Sequence, residues 1–424
     1  MMVRRFVVFT VMVLLLIVPF SAMARGGAEE ERVEDGLEIV TWWTAGGEAE
    51  ALAALIEIYR ERYPDVEVMN STVAGGGGSQ ARGVLASRMV GGNPPDTFQV
   101  HGGAGIIGTW VVDDFMAPVT HILEDNDWMD VFPEDVIDII SYEGEIYSIP
   151  VNIHRSNVMW YNTAIFEDNN LDPPETLDEF FAVAEELQGL GITPLALGGT
   201  DGWEPTHLLE SVLLAELGPE AYRGLWDGTT AWDGSDVRAA LATFVDMLDY
   251  INPDQSAITN IDAAEYVAEG EAAMTVMGDW VHGFYLAIGL EPGEDYGWMP
   301  TPGTQGNFIM LTDTFGLPKD APNPTHVERW LTLVASREGQ DTFNPIKGSI
   351  SARTDADRDK YDVYLLSAMD DFARDSIVPS VAHGAAAEVG WMSRINDAMT
   401  FLVEDKDIDT AAAEFQSLAD RYAR

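Results

Sequence analysis

Paired indoles at the end of a predicted strand, with polar side chains scattered around them, are what this sequence offers for chemistry. Trp42 and Trp43 come just before Gly46, Gly47 and Glu48. Further tryptophans, among them Trp110, Trp160, Trp203, Trp226, Trp232 and Trp280, stand near isolated polar residues at other predicted strand ends and loops. Such a set suits a pyranose, which presents an apolar C–H face and a rim of hydroxyls. Indoles cover the face, and Asp, Glu, Asn, Gln, His or Lys bonds the rim. For any single tryptophan, core packing is the plainer role, because buried aromatics dominate core energetics. Neighbours on a strand point to opposite faces, so one of Trp42 and Trp43 is expected in the core and the other exposed.

Other chemistries fit the sequence less well. Its seven histidines are scattered without an H-E-x-x-H, and there is no cysteine, which argues against a catalytic zinc or any other metal site. Neither a G-x-S-x-G elbow nor a P-loop occurs. Among 71 acidic residues a catalytic carboxylate pair carries no signal. Gly103, Gly105 and Gly108 spell G-x-G-x-x-G. The first βα turn, where a dinucleotide fingerprint belongs, lacks that motif. These glycines are expected instead to let the backbone pass close to a neighbour or a ligand. No cofactor is called for.

The elements that would position these groups can be read from periodicity. Leu37, Ile39 and Val40 form a β-prone strand leading into the tryptophans. Leu52, Leu55, Ile56, Tyr59 and Tyr63 then fall on one face of a helix that Pro64 and Asp65 stop. The crevice where a strand ends and a helix begins is the usual ligand position in open α/β sheets. A second strand over Val66–Val73, a helix capped by Ser79 and a third strand ending at His101 continue the alternation of an α/β fold. Glu143-Gly144 marks a hairpin, Val158–Tyr161 and Met274–Val276 are strands, and Phe308–Gly316 is a strand region. Residues 205–251 and the C-terminal portion read as helical, and Asn344–Ile350 reads as a loop.

At 424 residues the chain is long enough for two domains with cores of their own, and 46% hydrophobic residues is a globular composition. Residues 1–24 read as a cleaved signal peptide: Arg4 and Arg5, an apolar run from Phe6 to Phe20, then an A-x-A site at Ala22–Ala24. Residues 25–36 read as a mobile polar leader. A periplasmic or extracellular protein is expected, with no later membrane insertion. Without cysteine it would be neither lipid-anchored nor disulfide-bonded. The net charge is −48, spread along the whole chain, which repels nucleic acid and anionic lipid. Such a surface is expected of a protein adapted to high salt, where screening shortens the repulsion.

Several motifs resemble the extracellular solute-binding proteins of ATP-binding-cassette (ABC) sugar importers. Tyr63-Pro64-Asp65-Val66, Gly92-Asn93-Pro94-Pro95-Asp96, Tyr147-Ser148-Ile149-Pro150 and Gly270–Met274 are similar to stretches common in that family. TFQVH ending at His101, VNIHRSNVMWY from Val151, MGDW ending at Trp280, PGTQG from Pro302 and DTFNPIKGSI from Asp341 resemble its glucose/mannose-type members. The resemblance covers nearly the whole chain after the leader. It implies a two-lobed periplasmic-binding-protein fold of type II, with crossings near Val151-Asn152, Gly306–Phe308 and Ile350 and the ligand cleft between the lobes. Residues 36–151 plus 308–350 would form the N-terminal lobe, and 152–307 plus 351–424 the C-terminal lobe.

The same resemblance implies roles for single residues. Trp42, Trp43 and Trp280 would stack on or wall a sugar ring. Glu48, Gln99, His101, Asp313, Lys347 and His383 would bond hydroxyls, with Asn152 a further candidate at the crossing. Asn260 departs from the pattern, standing where a glucose-type relative carries a cleft tryptophan. The implied protein is a monomeric, non-catalytic receptor that closes on a sugar, most simply glucose or a related monosaccharide, and docks on a membrane permease. A secreted glycoside hydrolase and a binder of another solute, such as an oligosaccharide, peptide or metal ion, are the alternatives. Because the charge is so one-sided, the melting temperature should be lower in ~10 mM salt, where the Debye length is about 30 Å, than in ~1 M salt, where it is about 3 Å. Calorimetry at the two concentrations checks this, and equal melting temperatures would contradict it.

Overall fold

The computed structural model describes residues 35–75 and 78–423. The expected signal peptide, residues 1–24, and the leader as far as residue 34 lie outside the described residues. Gly36, expected in the leader, already pairs with Glu67 in the first sheet.

Strand β1 (Gly36–Thr41) is buried along its whole length and pairs in parallel with β2 (Glu67–Thr72) and β3 (Thr97–His101). The helix Gly46–Arg62 lays Leu52, Leu55, Ile56 and Tyr59 on this sheet, which is the face its periodicity predicts. β14 (Asp313–Pro318) joins antiparallel to β3, and β4 (Met116–Ala117) and β7 (Ser148–Pro150) complete six strands. The hairpin of β5 (Ser141–Tyr142) and β6 (Glu145–Ile146) turns on Glu143 and Gly144, both at positive φ. A second sheet is ordered β10 (Thr193–Ala196), β11 (Ala272–Val276), β9 (Val158–Asn162), β12 (Tyr296–Pro300). A third is ordered β15 (Ser376–Pro379), β13 (Asn307–Leu311), β8 (His154–Arg155).

The single strand region expected over Phe308–Gly316 is two strands in two sheets. β13 pairs with β15 and β8, whereas β14 pairs with β3 and β7, so the chain changes sheet at Thr312 and not near Gly306–Phe308. Asn307–Leu311 therefore belongs with the C-terminal elements, against the expected lobe boundary at residue 308. Thr312 is tied down there, its hydroxyl donating to the Asn152 carbonyl at 2.6 Å. Val151–Ile153 makes the neighbouring passage, and Ile153 and Ile350 exchange backbone hydrogen bonds of 2.8 and 3.0 Å beside it.

Two more readings change. Ser79 is the first residue of its helix and Gly78 stands at the cap, in the left-handed conformation. Asn344–Lys347, expected as loop, ends the helix Arg337–Lys347 in spite of Pro345. Tertiary bonds override the breaker: Phe343 and Asn344 are fully buried, and the Asn344 amide donates to Val151 and Gln340 carbonyls at 2.9 and 3.0 Å.

Three helices meet closely at one place. A Cβ added at Gly47 would lie 2.6 Å from the Ile346 carbonyl oxygen, and one at Gly283 would lie 2.3 Å from that of Lys347. Only glycine allows this approach. It brings the helices Gly46–Arg62, Trp280–Ala287 and Arg337–Lys347 together, and with them Glu48, Trp280 and Lys347. One apolar core runs from the large sheet through this junction to Trp160, Tyr285, Tyr296 and Tyr364. Trp160 is fully buried among those rings, with centroids 4.8 to 6.1 Å away. Trp160→Ala should therefore lower unfolding stability by about 3–5 kcal/mol. Urea titration measures it, and a loss within about 0.5 kcal/mol, the range of surface changes, would contradict this packing.

Candidate functional site

The meeting of strand ends and helix ends leaves a cavity of about 730 Å³. Trp42, Trp43, Glu48, His101, Trp280, Asp313, Lys347 and His383 all reach its wall, and Asn260 stands at its rim beside Thr259 and Ile261. Two residues expected to touch a ligand do not line it: Gln99 and Asn152 lie one layer behind and hold Asp313.

Asp313 opens β14, directly after the change of sheet, and is 2% exposed. One carboxylate oxygen accepts the Gln99 amide at 2.8 Å. The other accepts the Asn152 amide at 2.9 Å and lies 3.4 Å from His154 Nε2. The Asp313 N–H in turn donates to the Asn152 side chain at 2.8 Å. His101 Nε2 approaches within 3.6 Å. Burial pushes the Asp313 carboxyl up, but the His154 hydrogen bond and the Lys347 charge outweigh it and hold it well below the usual carboxylate range. Burial drives the His101 imidazole down to about 4, against the pull of Asp313. For His154, burial and the Lys347 charge act downward, yet Asp279 and Asp313 prevail and leave it above the ordinary histidine value. His154 bonds Asp279 through Nδ1, and Asp279 also accepts the Arg155 N–H at 3.0 Å. Lys347 Nζ lies 2.8 Å from Glu48 Oε1, closing one side of the cavity with an ion pair.

The aromatic walls divide unequally. Trp43 is 1% exposed and packs against Phe343 and Phe315, with centroids 5.0 and 5.9 Å away, so it serves the core and offers the cavity little more than an edge. Trp42 is half-buried, which gives the expected split between the two, although both lie just past the end of β1. It rests on Gly78, where a Cβ would come within 2.8 Å of the indole, and on the His101 ring at 5.1 Å. Trp280 folds back over Gly278, which has no room for a Cβ. It meets His383 at 5.0 Å, His154 at 5.6 Å and Trp203 at 6.2 Å.

His154, Asp279 and Trp203 are the site residues that sequence reasoning missed or left among the other tryptophans. His154 and Asp279 lie in VNIHRSNVMWY and MGDW, so those motifs were the available signal. His207, Glu210 and His383 place their ligand atoms within 4.8 Å of one another, which is metal-like spacing. The Glu210 oxygens, however, already accept from Ser156, Ser380 and the amides of Val381 and Ala382. That carboxylate holds a turn. Catalysis by a carboxylate pair is also poorly served: a general acid needs a raised pKa, Asp313 is shifted the opposite way, and Glu48 is engaged by Lys347.

The family of bacterial extracellular solute-binding proteins matches residues 44–341. An uncharacterized ABC transporter extracellular-binding protein of Pyrococcus horikoshii is 38% identical over 382 residues, covering 89% of this chain and 86% of the relative. A probable sugar-binding periplasmic protein of Brucella suis is 31% identical over 375 residues, covering 87% of each. Among solved structures, the bacterial solute receptor AcbH, described as having an exclusive preference for β-D-galactopyranose, superposes with a TM-score of 0.82. It covers 92% of this chain and 100% of its own at 16% identity, a likeness of fold.

The histidine shifts have a consequence for acid stability. His101 and His207, pulled down by burial to about 4 and about 3, resist a proton that the unfolded chain takes up near pH ~6.5. The unfolded state then binds more protons, so stability should fall as pH drops from about 6.5 toward 4. His154 acts in the opposite sense: its stabilisation is present at low pH and lost as pH rises through its raised pKa. His101→Asn should flatten the slope of unfolding free energy between pH ~4 and ~6.5 by up to about one proton. Urea titrations across that range measure the slope, and an unchanged one would contradict the assignment.

Proposed function

We propose, for a chain that belongs to the bacterial extracellular solute-binding proteins, that its cleft captures a sugar and that the loaded protein delivers it to an ABC permease. Members of this family are receptors and not enzymes, and no proton transfer or nucleophile is needed here. The observation that carries the sugar reading is the cavity's two-part chemistry. Trp42 and Trp280 provide apolar ring surfaces, while Asp313, His101, His154, Lys347, Glu48 and His383 supply polar groups beside them. Ring hydroxyls can donate to Asp313 and Glu48 and accept from Lys347. The sugar-binding name of the Brucella relative supports the same class.

The simplest ligand is glucose or a related monosaccharide, held between Trp42 and Trp280 against Asp313. A longer sugar is a second reading, favoured by the volume. About 730 Å³ lies toward the upper part of the ~300–1,000 Å³ range of small-molecule sites. Asn260 at the rim leaves open a place that a tryptophan would fill.

Residues before and after the crossings would form two lobes that close on the ligand. A ligand shifts that equilibrium only by binding the closed form better than the open one. The protein would act as a monomer outside the cytoplasm, released by signal cleavage and without a lipid anchor. Among the described residues no helix is long and apolar enough to cross a membrane.

Tryptophan fluorescence, titrated with glucose, mannose, galactose and disaccharides in high salt, tests this reading. A saturable change without turnover is expected, and Trp42→Ala and Trp280→Ala should each abolish it. Silence toward every sugar would rule out the monosaccharide assignment, and release of reducing sugar would favour a hydrolase.

A further inference from the structure

The turn Ser380–Ala385 is held from two sides. On one side is Glu210, fully buried on the helix Glu204–Asp227. Its carboxylate accepts the Ser380 hydroxyl at 2.9 Å, the Val381 N–H at 2.8 Å and the Ala382 N–H at 3.1 Å, as well as the Ser156 hydroxyl. Three of these donors belong to the turn itself. On the other side is the glycine stretch after β3, in the large sheet. Ala104 N–H donates to the Ala385 carbonyl at 3.3 Å, and Gly105 N–H donates to that of Gly384 at 2.8 Å. A Cβ at Gly103 would lie 2.6 Å from the Ala385 oxygen, and one at Gly105 would lie 3.2 Å from the Gly384 oxygen. Two of the three glycines in the G-x-G-x-x-G pattern, Gly103 and Gly105, thus serve close backbone approach.

Between the two grips, in the middle of the turn, stands His383, which lines the cavity. Two residues before Gly103 stands His101, whose ring meets that of His383 at 5.7 Å. The backbone bonds that join the large sheet to the C-terminal elements are therefore a few atoms from two ligand-facing histidines.

We propose that Glu210 and Gly105 are positioning residues that hold the turn Ser380–Ala385 as a clasp between the large sheet and the C-terminal elements, so that ligand contact at His383 and closure of the cleft occur together. This rests on the reading of the cleft as a sugar site. Glu210 fixes the turn to its own side in either state. The amides of Ala104 and Gly105 engage the turn when the two sides approach. A ligand that bonds His383 and His101 favours that approach, and the formed clasp slows release. Coupling of this kind needs a differential interaction in the closed state, which the two backbone bonds supply.

The test uses the full chain after its leader, as wild type, Glu210→Gln and Gly105→Val. Hydrogen exchange of the segment Gly102–Ile107, without ligand, should be slow in wild type and faster in both variants. The wild-type segment should slow further with the sugar that titrates its fluorescence. Gly105→Val, whose added atoms press on the turn where the clasp is closed, should keep the wild-type far-UV circular dichroism yet bind that sugar about tenfold more weakly, within the usual range of coupling between sites. Exchange unchanged in both variants would overturn the clasp, and if Glu210→Gln does not fold, Gly105→Val decides alone. Faster exchange with unaltered affinity would overturn the coupling. A wild type indifferent to every sugar would count against the sugar reading instead, and the exchange measurements would still decide the clasp.

Discussion

A buried carboxylate has to be compensated, and the neighbourhood of Asp313 is arranged to do so. Removing a charge from water costs several kcal/mol unless hydrogen bonds and opposite charge replace the lost solvent (about that order after relaxation). Asp313 recovers them from Gln99, Asn152 and His154, with Lys347 charge nearby. The partners come from different elements: Gln99 from β3, Asn152 from the passage after β7, His154 from β8, and Lys347 from the end of its helix. Satisfying one carboxylate thus requires two sheets and a helix to be in register at one point. The chain changes sheet at Thr312, immediately before Asp313, and Thr312 is bonded to the antiparallel passage at Asn152.

That point is also where the polar and aromatic surfaces meet. The glycine contacts at Gly47 and Gly283 draw three helices close enough to place Glu48, Trp280 and Lys347 around the carboxylate. Trp280 can fold back over the site because Gly278 presents no Cβ, and Trp42 can lie flat because Gly78 presents none. The polar end is stiffened by its own hydrogen bonds, while Trp42 remains half-buried and accessible. A pre-bonded polar floor with an accessible aromatic wall suits a ligand that has both faces.

Much of this was legible in the sequence, wherever periodicity or local chemistry decides. The first strand, its helix and the hairpin at Glu143-Gly144 follow from patterns that local structure obeys directly. One of Trp42 and Trp43 is buried and the other half-buried, as expected, but both stand past the end of a strand that is buried on both faces. What escaped notice depends on contacts distant along the chain. Gln99 and Asn152 carry the same donor groups as ligand-binding residues, and nothing local says that 214 and 161 residues away Asp313 claims them. Pro345 looks like a helix breaker until Asn344 is seen bonded to Val151, 193 residues away. Phe308–Gly316 reads as one strand region because Thr312-Asp313-Thr314, the polar break between its apolar residues, does not by itself say that the strand changes partners there.

On the proposed reading, Asp313 would anchor the sugar at the junction of the sheets. Isothermal titration of wild type and Asp313→Asn with the sugar series, in high salt, tests it most directly. Asparagine keeps the size and one acceptor but removes the charge that the surrounding donors and ring hydroxyls need. Saturable heat is expected with at least one sugar for wild type and none for Asp313→Asn, with the variant still folded by circular dichroism. Equal affinity in the two proteins would contradict it.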